Sequence, residues 1–470
     1  MSNPPLLQAA IAAHRFGLGE PTLEPIAADP QGWLLAQVGP AEPARGAGLL
    51  STRDGLQLIA AERAKREAAR NPPPGTTAEQ LLAGHYREAT VADARSHLAS
   101  AAFGARPFME RLQLFWANHF TVSLAKGSAR GLVGAFERDA IRPNLHGSFE
   151  ALLTAATTHP AMLRYLDNAQ SAGPRSPVVA REQRRAARLG EAPRVTGINE
   201  NLAREVLELH TLGAASGRAA VGSGSAGYTQ ADVTAFAALL TGWRAGPYSP
   251  DRPVPFDPAW HEPGPKVVLG KRYPEGPDAL GALLHDLAVH PATARFVATK
   301  LARHVVADVP PPALVERLTA AFLQSDGDLP TLYRALVRSP EAWDAEQRKL
   351  KTPEEFVVSS VRMLGLPERL LERGDGLGVG ALGQRLLAAP SPAGWSDRAD
   401  DWLGPDAVWK RVEWATRSAD RLGRQVDARA LGARSLGPLL DPATRLQIER
   451  AADGPQALAL LLMAPEFQRR

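Results

Sequence analysis

The 470-residue chain contains no cysteine. That excludes disulfides, thiolate metal sites, iron–sulfur clusters and a cysteine nucleophile. No window approaches about 18 uninterrupted apolar residues, so no membrane-spanning helix is expected. The segment Met1 to Gly19 has no charged leader and no long apolar core before a small-residue cleavage site, so the chain as written reads as cytoplasmic. Charge of one sign is also scarce: 54 Lys and Arg against 50 Asp and Glu leave +4. No basic block is interleaved with aromatics, so nucleic acid is not the expected partner. The run Arg181 to Arg188 reads as a solvated loop or helix.

Familiar catalytic motifs are missing as well. Gly270-Lys271 lacks the upstream glycine and the following hydroxyl of a phosphate-binding loop. There is no Gly-x-Ser-x-Gly elbow. His261-Glu262 runs at once into Pro263, so no His-Glu-x-x-His zinc helix forms there. None of the 11 histidines completes a Glu-x-x-His, which argues against a di-iron bundle.

What is present is helical periodicity from end to end, in a chain 44% hydrophobic and 22% charged, as soluble globular proteins are. The expected fold is mainly α: a large multi-helix array forming a single domain over residues 1–470, with long loops and at most a minor β-hairpin near Lys266–Gly270. Phe108 to Phe120 reads as a buried helix. Residues 169–198 lack periodicity and read as a basic surface insertion; 214–227 read as a Gly/Ser-rich loop. His159-Pro160-Ala161 and His290-Pro291-Ala292 repeat one pattern, explained by a histidine cap before a proline-started helix.

The chain is organised around Asn199 to Gly213. Leu202, Val206 and Leu209 recur at i, i+4, i+7 as an apolar stripe, with Asn201, Glu205 and Glu208 along its edge. Asn199 is the expected N-cap and Gly213 the helix-ending glycine. Carboxylates beside a buried face are costly unless paired, hydrogen-bonded or metal-bound. The simpler account is a solvated ladder in which Glu200 pairs with Arg204, and Arg204 with Glu208. His119, His159, Asp167, Asn168, Asp232, His261 and Lys266 are scattered around it. Together they offer oxygen and nitrogen donors suited to a hard or borderline metal, or to a phosphate or sugar.

Several stretches in order carry a family resemblance. They are Phe115-Trp116-Ala117-Asn118-His119-Phe120, His159 through Asn168, Asn199 through Glu205 with Glu208-Leu209, and Tyr228 through Val233 with Leu240-Thr241-Gly242-Trp243. His261 through Lys266 with Leu269-Gly270, Lys300-Leu301, Pro353-Glu354 and Gly394-Trp395 complete the set. In these the chain resembles the bacterial domain-of-unknown-function family 1800, over nearly its whole length. The resemblance implies a large, mainly helical protein of unassigned activity. Relatives often carry export signals and sit beside a companion family, domain of unknown function 1501, that resembles alkaline phosphatases and sulfatases. This sequence departs from the pattern in lacking the export signal, in a longer and more basic loop before Asn199, and in Glu262 where the family has Asp.

The expected enzyme hydrolyses, or transfers a group on, a phosphate- or sugar-containing substrate. Glu205, Glu208, His159 and Asp232 are its catalytic candidates. Arg204, Asn168, Asn199, Asn201, Trp243 and Lys266 would bind substrate. His119, Asp167, Glu200 and His261 would hold a divalent metal as cofactor. The alternative is a non-enzymatic helical scaffold for the co-encoded phosphatase- or sulfatase-like partner, in which the same residues form a structural network.

Overall fold

Proline sets where the helices begin. Pro107–His119, Pro160–Tyr165, Pro291–Val305, Pro353–Met363 and Pro405–Leu422 each start on one. The N–H that proline lacks is one the first turn leaves unpaired in any case. Side-chain caps add to this: Ser51 with Asp54, Thr229 with Asp232, and Thr352 with Glu355 form reciprocal capping boxes. The computed structural model describes residues 4–70, 77, 84–195, 197–214, 227–246, 256–373 and 376–470. The expected Gly/Ser-rich loop falls outside them from 215 to 226, as do the proline break at 71–76 and the stretch 78–83.

The fold is mainly α, and the strands described make one small antiparallel hairpin, Lys266–Val268 with Lys271–Tyr273. Leu269 and Gly270 turn it, both at positive φ (51° and 77°), as a tight two-residue hairpin turn requires. Among the described residues no helix is long and apolar enough to cross a membrane.

The histidine–proline repeat has a common geometry. His159 Nδ1 accepts from the Ala161 N–H and His290 Nδ1 from the Ala292 N–H, both at 3.1 Å. Replacing the partly buried His290 by alanine is expected to lower the unfolding free energy by about 1 kcal/mol, measured by denaturant unfolding at pH 7.5. Burial lowers the His290 pKa from 6.5, so the fold favours the neutral, capping ring. Its contribution is therefore full above pH 6.5 and lost as pH falls through the lower folded value, and the mutational effect should shrink with it.

Two departures from the expected pattern have local causes. Asn201–Glu205 is α-helical, but Val206–His210 continues as a π turn. A π turn carries an extra residue per turn and rotates the residues after it about the helix axis. Leu207 and His210 are therefore buried while Leu209 is only half-buried. The 169–198 stretch, described except at residue 196, is not all loop. It holds the helix Pro177–Leu189, capped by Ser176, with Val178, Val179 and Ala186 buried. The Gly173 and Val178 N–H groups donate to the carbonyls of Trp260 and Ala259. Three small apolar residues among arginines make too thin a stripe to show in the sequence.

Two apolar clusters form the core. The larger includes Phe108, Leu112, Trp116, Phe149, Leu202, Phe236, Val297, Leu301 and Leu332. The second gathers Leu98, Phe356, Val361, Leu431, Leu458 and Phe467. Pro107–His119 is buried as expected, and its Leu114 packs against the second cluster. The N-terminal turn is tied to the far end of the chain: His14 Nε2 donates to the Ser435 carbonyl at 2.9 Å, across 421 residues, and Arg15 to the Ala342 carbonyl at 2.8 Å.

Candidate functional site

Where the two clusters meet, polar side chains line a cleft of about 80 Å³. That is room for several waters or one small polar group. His97 comes from Arg87–Phe103, Glu137 opens the π turn Glu137–Ile141, and His304 ends Pro291–Val305. Glu354 sits in the first turn of Pro353–Met363, and Asn118 and Asp397 complete the rim.

The two histidines are driven to opposite charge states. His97 is clamped between carboxylates, Nδ1 to Glu137 Oε2 at 2.8 Å and Nε2 to Glu354 Oε1 at 2.5 Å. Burial opposes its charge, yet those two carboxylates hold its pKa well above 6.5. His97 is thus an imidazolium. His304 Nδ1 faces both Asp397 oxygens, at 3.2 and 3.3 Å. Burial outweighs Asp397 and lowers the His304 pKa. The ring is then neutral and donates Nδ1–H to Asp397, which leaves the Nε2 lone pair buried and without a hydrogen-bond partner among the described residues. Burial works against the Asp397 carboxylate, but His304, Lys349 and Arg470 bring it down to about 2.

Beneath the cleft, Glu355 accepts from Arg111 at 2.5 Å, Arg470 at 2.8 Å and the Thr352 N–H at 3.0 Å. On the rim, Asn118 grips the backbone of Trp395 twice: its Oδ1 accepts from Trp395 N at 2.7 Å and its Nδ2 donates to Trp395 O at 2.9 Å. Gly394 has φ +84°, and a Cβ there would lie 2.5 Å from Asn118 Oδ1. Only glycine meets both demands.

A family model described as "Protein of unknown function (DUF1800)" matches residues 11–469. The chain belongs to the DUF1800 family. No curated protein and no solved structure matches it. The stretches that carry the DUF1800 resemblance divide in space. Ala117, Asn118, Glu354 and Trp395 line the cleft. Asn168, His261 and Glu262, from two of the other stretches, staple the turn Thr241-Gly242-Trp243. Asn168 Nδ2 donates to the Leu240 and Trp243 carbonyls at 3.2 and 3.0 Å. His261 Nδ1 donates to Thr241 O at 2.7 Å, and Glu262 N to Thr241 Oγ1 at 2.8 Å.

Most residues singled out from the DUF1800 sequence are engaged in such contacts. His159 caps a helix, and its Nε2 meets Thr52 Oγ1 at 2.9 Å, while burial pushes its pKa down to about 4. Asp232 accepts from Thr229 N, Thr229 Oγ1 and Leu269 N at 2.7–2.8 Å. Glu200 binds Arg204, Gln230 and Thr234 at 2.6–3.0 Å, the first rung of the ladder in the simpler account, while Arg204 turns to Gln230 at 3.1 Å for its other bond. Asn199 Oδ1 accepts from the N–H of the exposed Asn201 at 2.9 Å. Lys266 Nζ meets His261 Nε2 at 2.8 Å and the Glu262 carbonyl, so it is not positioned as an anion holder.

Glu205 and Glu208 do come together. Burial first, and then the Glu208 charge, raise the Glu205 pKa. Tyr228 lies beside both carboxylates, and Tyr165, raised to about 12 by burial and Glu205, joins the group.

The four expected metal ligands do not converge. His119 Nε2 meets the His210 carbonyl at 3.1 Å within an aromatic nest, Asp167 pairs with Lys126 at 2.6 Å, and Glu200 and His261 are bound as above. Among the described residues no group of three or more His, Asp or Glu is placed to hold a metal ion. The residues that sequence reasoning missed are His97, Glu137, His304 and Asp397.

Proposed function

We propose that the cleft is a general acid–base site, and that this protein hydrolyses or transfers a group on a sugar-containing substrate. One observation carries the reading: His304 is oriented by Asp397, its Nε2 is unpartnered, and it lines a polar cleft. A neutral imidazole held by a buried carboxylate can take a proton from an attacking hydroxyl. Asp397 then stabilises the imidazolium that forms, and the proton at Nε2 passes to the departing oxygen as its bond breaks. The lining favours sugar over phosphate. Among the described residues, the one cation of the lining, His97, is closed between Glu137 and Glu354 and so is not free to hold a phosphate, while Thr121, Gln384 and Ser396 suit neutral hydroxyl groups.

The test is a panel of acylated and glycosylated nitrophenyl sugars, with His304→Gln beside the wild type. Turnover that is lost in the variant, with the melting temperature kept within a few degrees, supports the reading. Turnover that the variant retains, or none across the panel, overturns it. The scaffold reading has one observation in its favour: Glu355, Arg111 and Arg470 form a buried ionic cross-link beside the same cleft. On that reading His304→Gln costs stability and there is no turnover to lose.

A further inference from the structure

A second concave surface, about 1030 Å³, opens between the helix Thr52–Ala68, the turn Gly127–Ala129, the end of the helix Pro160–Tyr165 and the segment around Arg244. Arginines dominate it, among them Arg63, Arg164 and Arg244. Its two carboxylates are already engaged. Glu62 accepts from Arg66 at 2.8 Å and Tyr86 at 2.9 Å, and Asp167 from Lys126 at 2.6 Å. Lys126 thus adds a further cation at the edge.

Two of the arginines are held ready for a ligand. Arg164 donates Nε to the Ser128 carbonyl at 2.7 Å, which fixes the plane of its guanidinium. Arg244 lies 3.5 Å from the centroid of the Trp260 ring. Stacking occupies the face of a guanidinium and leaves its N–H edge for an oxyanion. The Arg244 Nη1 is buried with no hydrogen-bond partner among the described residues, and Asp257 acts on it only through space. A buried donor left unpaired in this way is costly unless something accepts from it.

We propose that this groove binds a ligand bearing two or more phosphate or sulfate groups, with Arg244 and Arg164 as the principal contacts. Guanidinium forks match tetrahedral oxyanions bidentately, and the volume is that of a small-molecule site rather than a single-ion site. The proposal is independent of the acid–base cleft, whose lining suits a neutral group.

The experiment is calorimetric titration of the full chain at low salt with tripolyphosphate and, in a second arm, with a trisulfated disaccharide. At least one probe is expected to bind, and the tighter of the two identifies the source of the oxyanion. The double variant Arg164→Gln/Arg244→Gln should weaken binding at least tenfold, while Arg317→Gln on the helix Pro312–Gln324 should leave it unchanged. Should the double variant melt early, Arg63→Glu on the exposed face of Thr52–Ala68 reports on the same groove. No binding at millimolar probe, or wild-type binding in these groove variants, overturns the proposal. So does binding seen only with a long nucleic-acid polymer, which would reassign the surface.

Discussion

Replacing Glu355 with alanine is expected to lower the unfolding free energy by about 3–5 kcal/mol, the range for breaking a buried ion pair from one side. The carboxylate is 4% exposed, between Arg111 at 0% and Arg470 at 1%. Without it, two guanidinium groups face each other in the core with no anion between them. Burial and Arg470 already lower the Arg111 pKa to about 10, against the pull of Glu355. Lys351, buried over the Phe467 ring and kept well below its ordinary pKa, offers no compensation. Glu355→Gln keeps the shape but removes the charge, so a similar loss in both variants would assign the effect to electrostatics. Burial disfavours the Glu355 anion, but Arg470 and Arg111 prevail and hold it well below 4.5. Its contribution is therefore full above pH 4.5 and fades as pH falls through the lower folded value, where wild-type and Gln curves should converge. Urea unfolding at pH 7 reads the full contribution and at pH 3 a reduced one. A loss below about 1 kcal/mol at pH 7 would show that the cross-link is dispensable.

Asp397→Asn is expected to reduce turnover by about 10²–10⁴-fold, the range for losing a positioned acid–base group. An amide can present its NH₂ to His304 Nδ1, which stabilises the tautomer whose proton sits on Nε2. The base would then be blocked with its position unchanged. On the proposed acid–base reading, wild-type turnover requires neutral His304, so kcat/KM should fall on the acid side, at a pH below the ordinary histidine value of 6.5. The Asp397 charge raises the His304 pKa, so removing it should move the residual acid limb to still lower pH. The check is a pH profile of kcat/KM for both proteins, with imidazole NMR to read the tautomer. An Asp397→Asn enzyme with wild-type turnover would remove His304 from the mechanism.

The helices were legible where local chemistry sets them. The apolar run Phe108 to Phe120 falls within one residue of the observed helix Pro107–His119. The repeated His-Pro-Ala was readable for the same reason, because a cap is an interaction across two residues. The π turn at Val206–His210 was not, since its extra residue leaves no mark in the apolar spacing. The cleft was the least legible part. His97 meets Glu354 across 257 residues and His304 meets Asp397 across 93, so no local spacing pairs them. Glu354, Asn118 and Trp395 were singled out through the family resemblance, which located the rim without its chemistry. Glu208 acts on Glu205 by charge, as their closeness on one helix leads one to expect. The Asp232 and His159 assignments could not anticipate that all their polar atoms would serve a cap, a hairpin and a hydroxyl.

The tie between His14 and Ser435 bears on the order of events at the ribosome. At about 5–20 residues per second, the 421 residues between them take roughly 20–80 s to synthesise. Throughout that interval the N-terminal helix Pro4–Ile11 is present while the turn Gly437–Leu439 that packs on it is not. The apolar face that Ala9, Ala10 and Ile11 bury stays incompletely covered until that turn has left the ribosome.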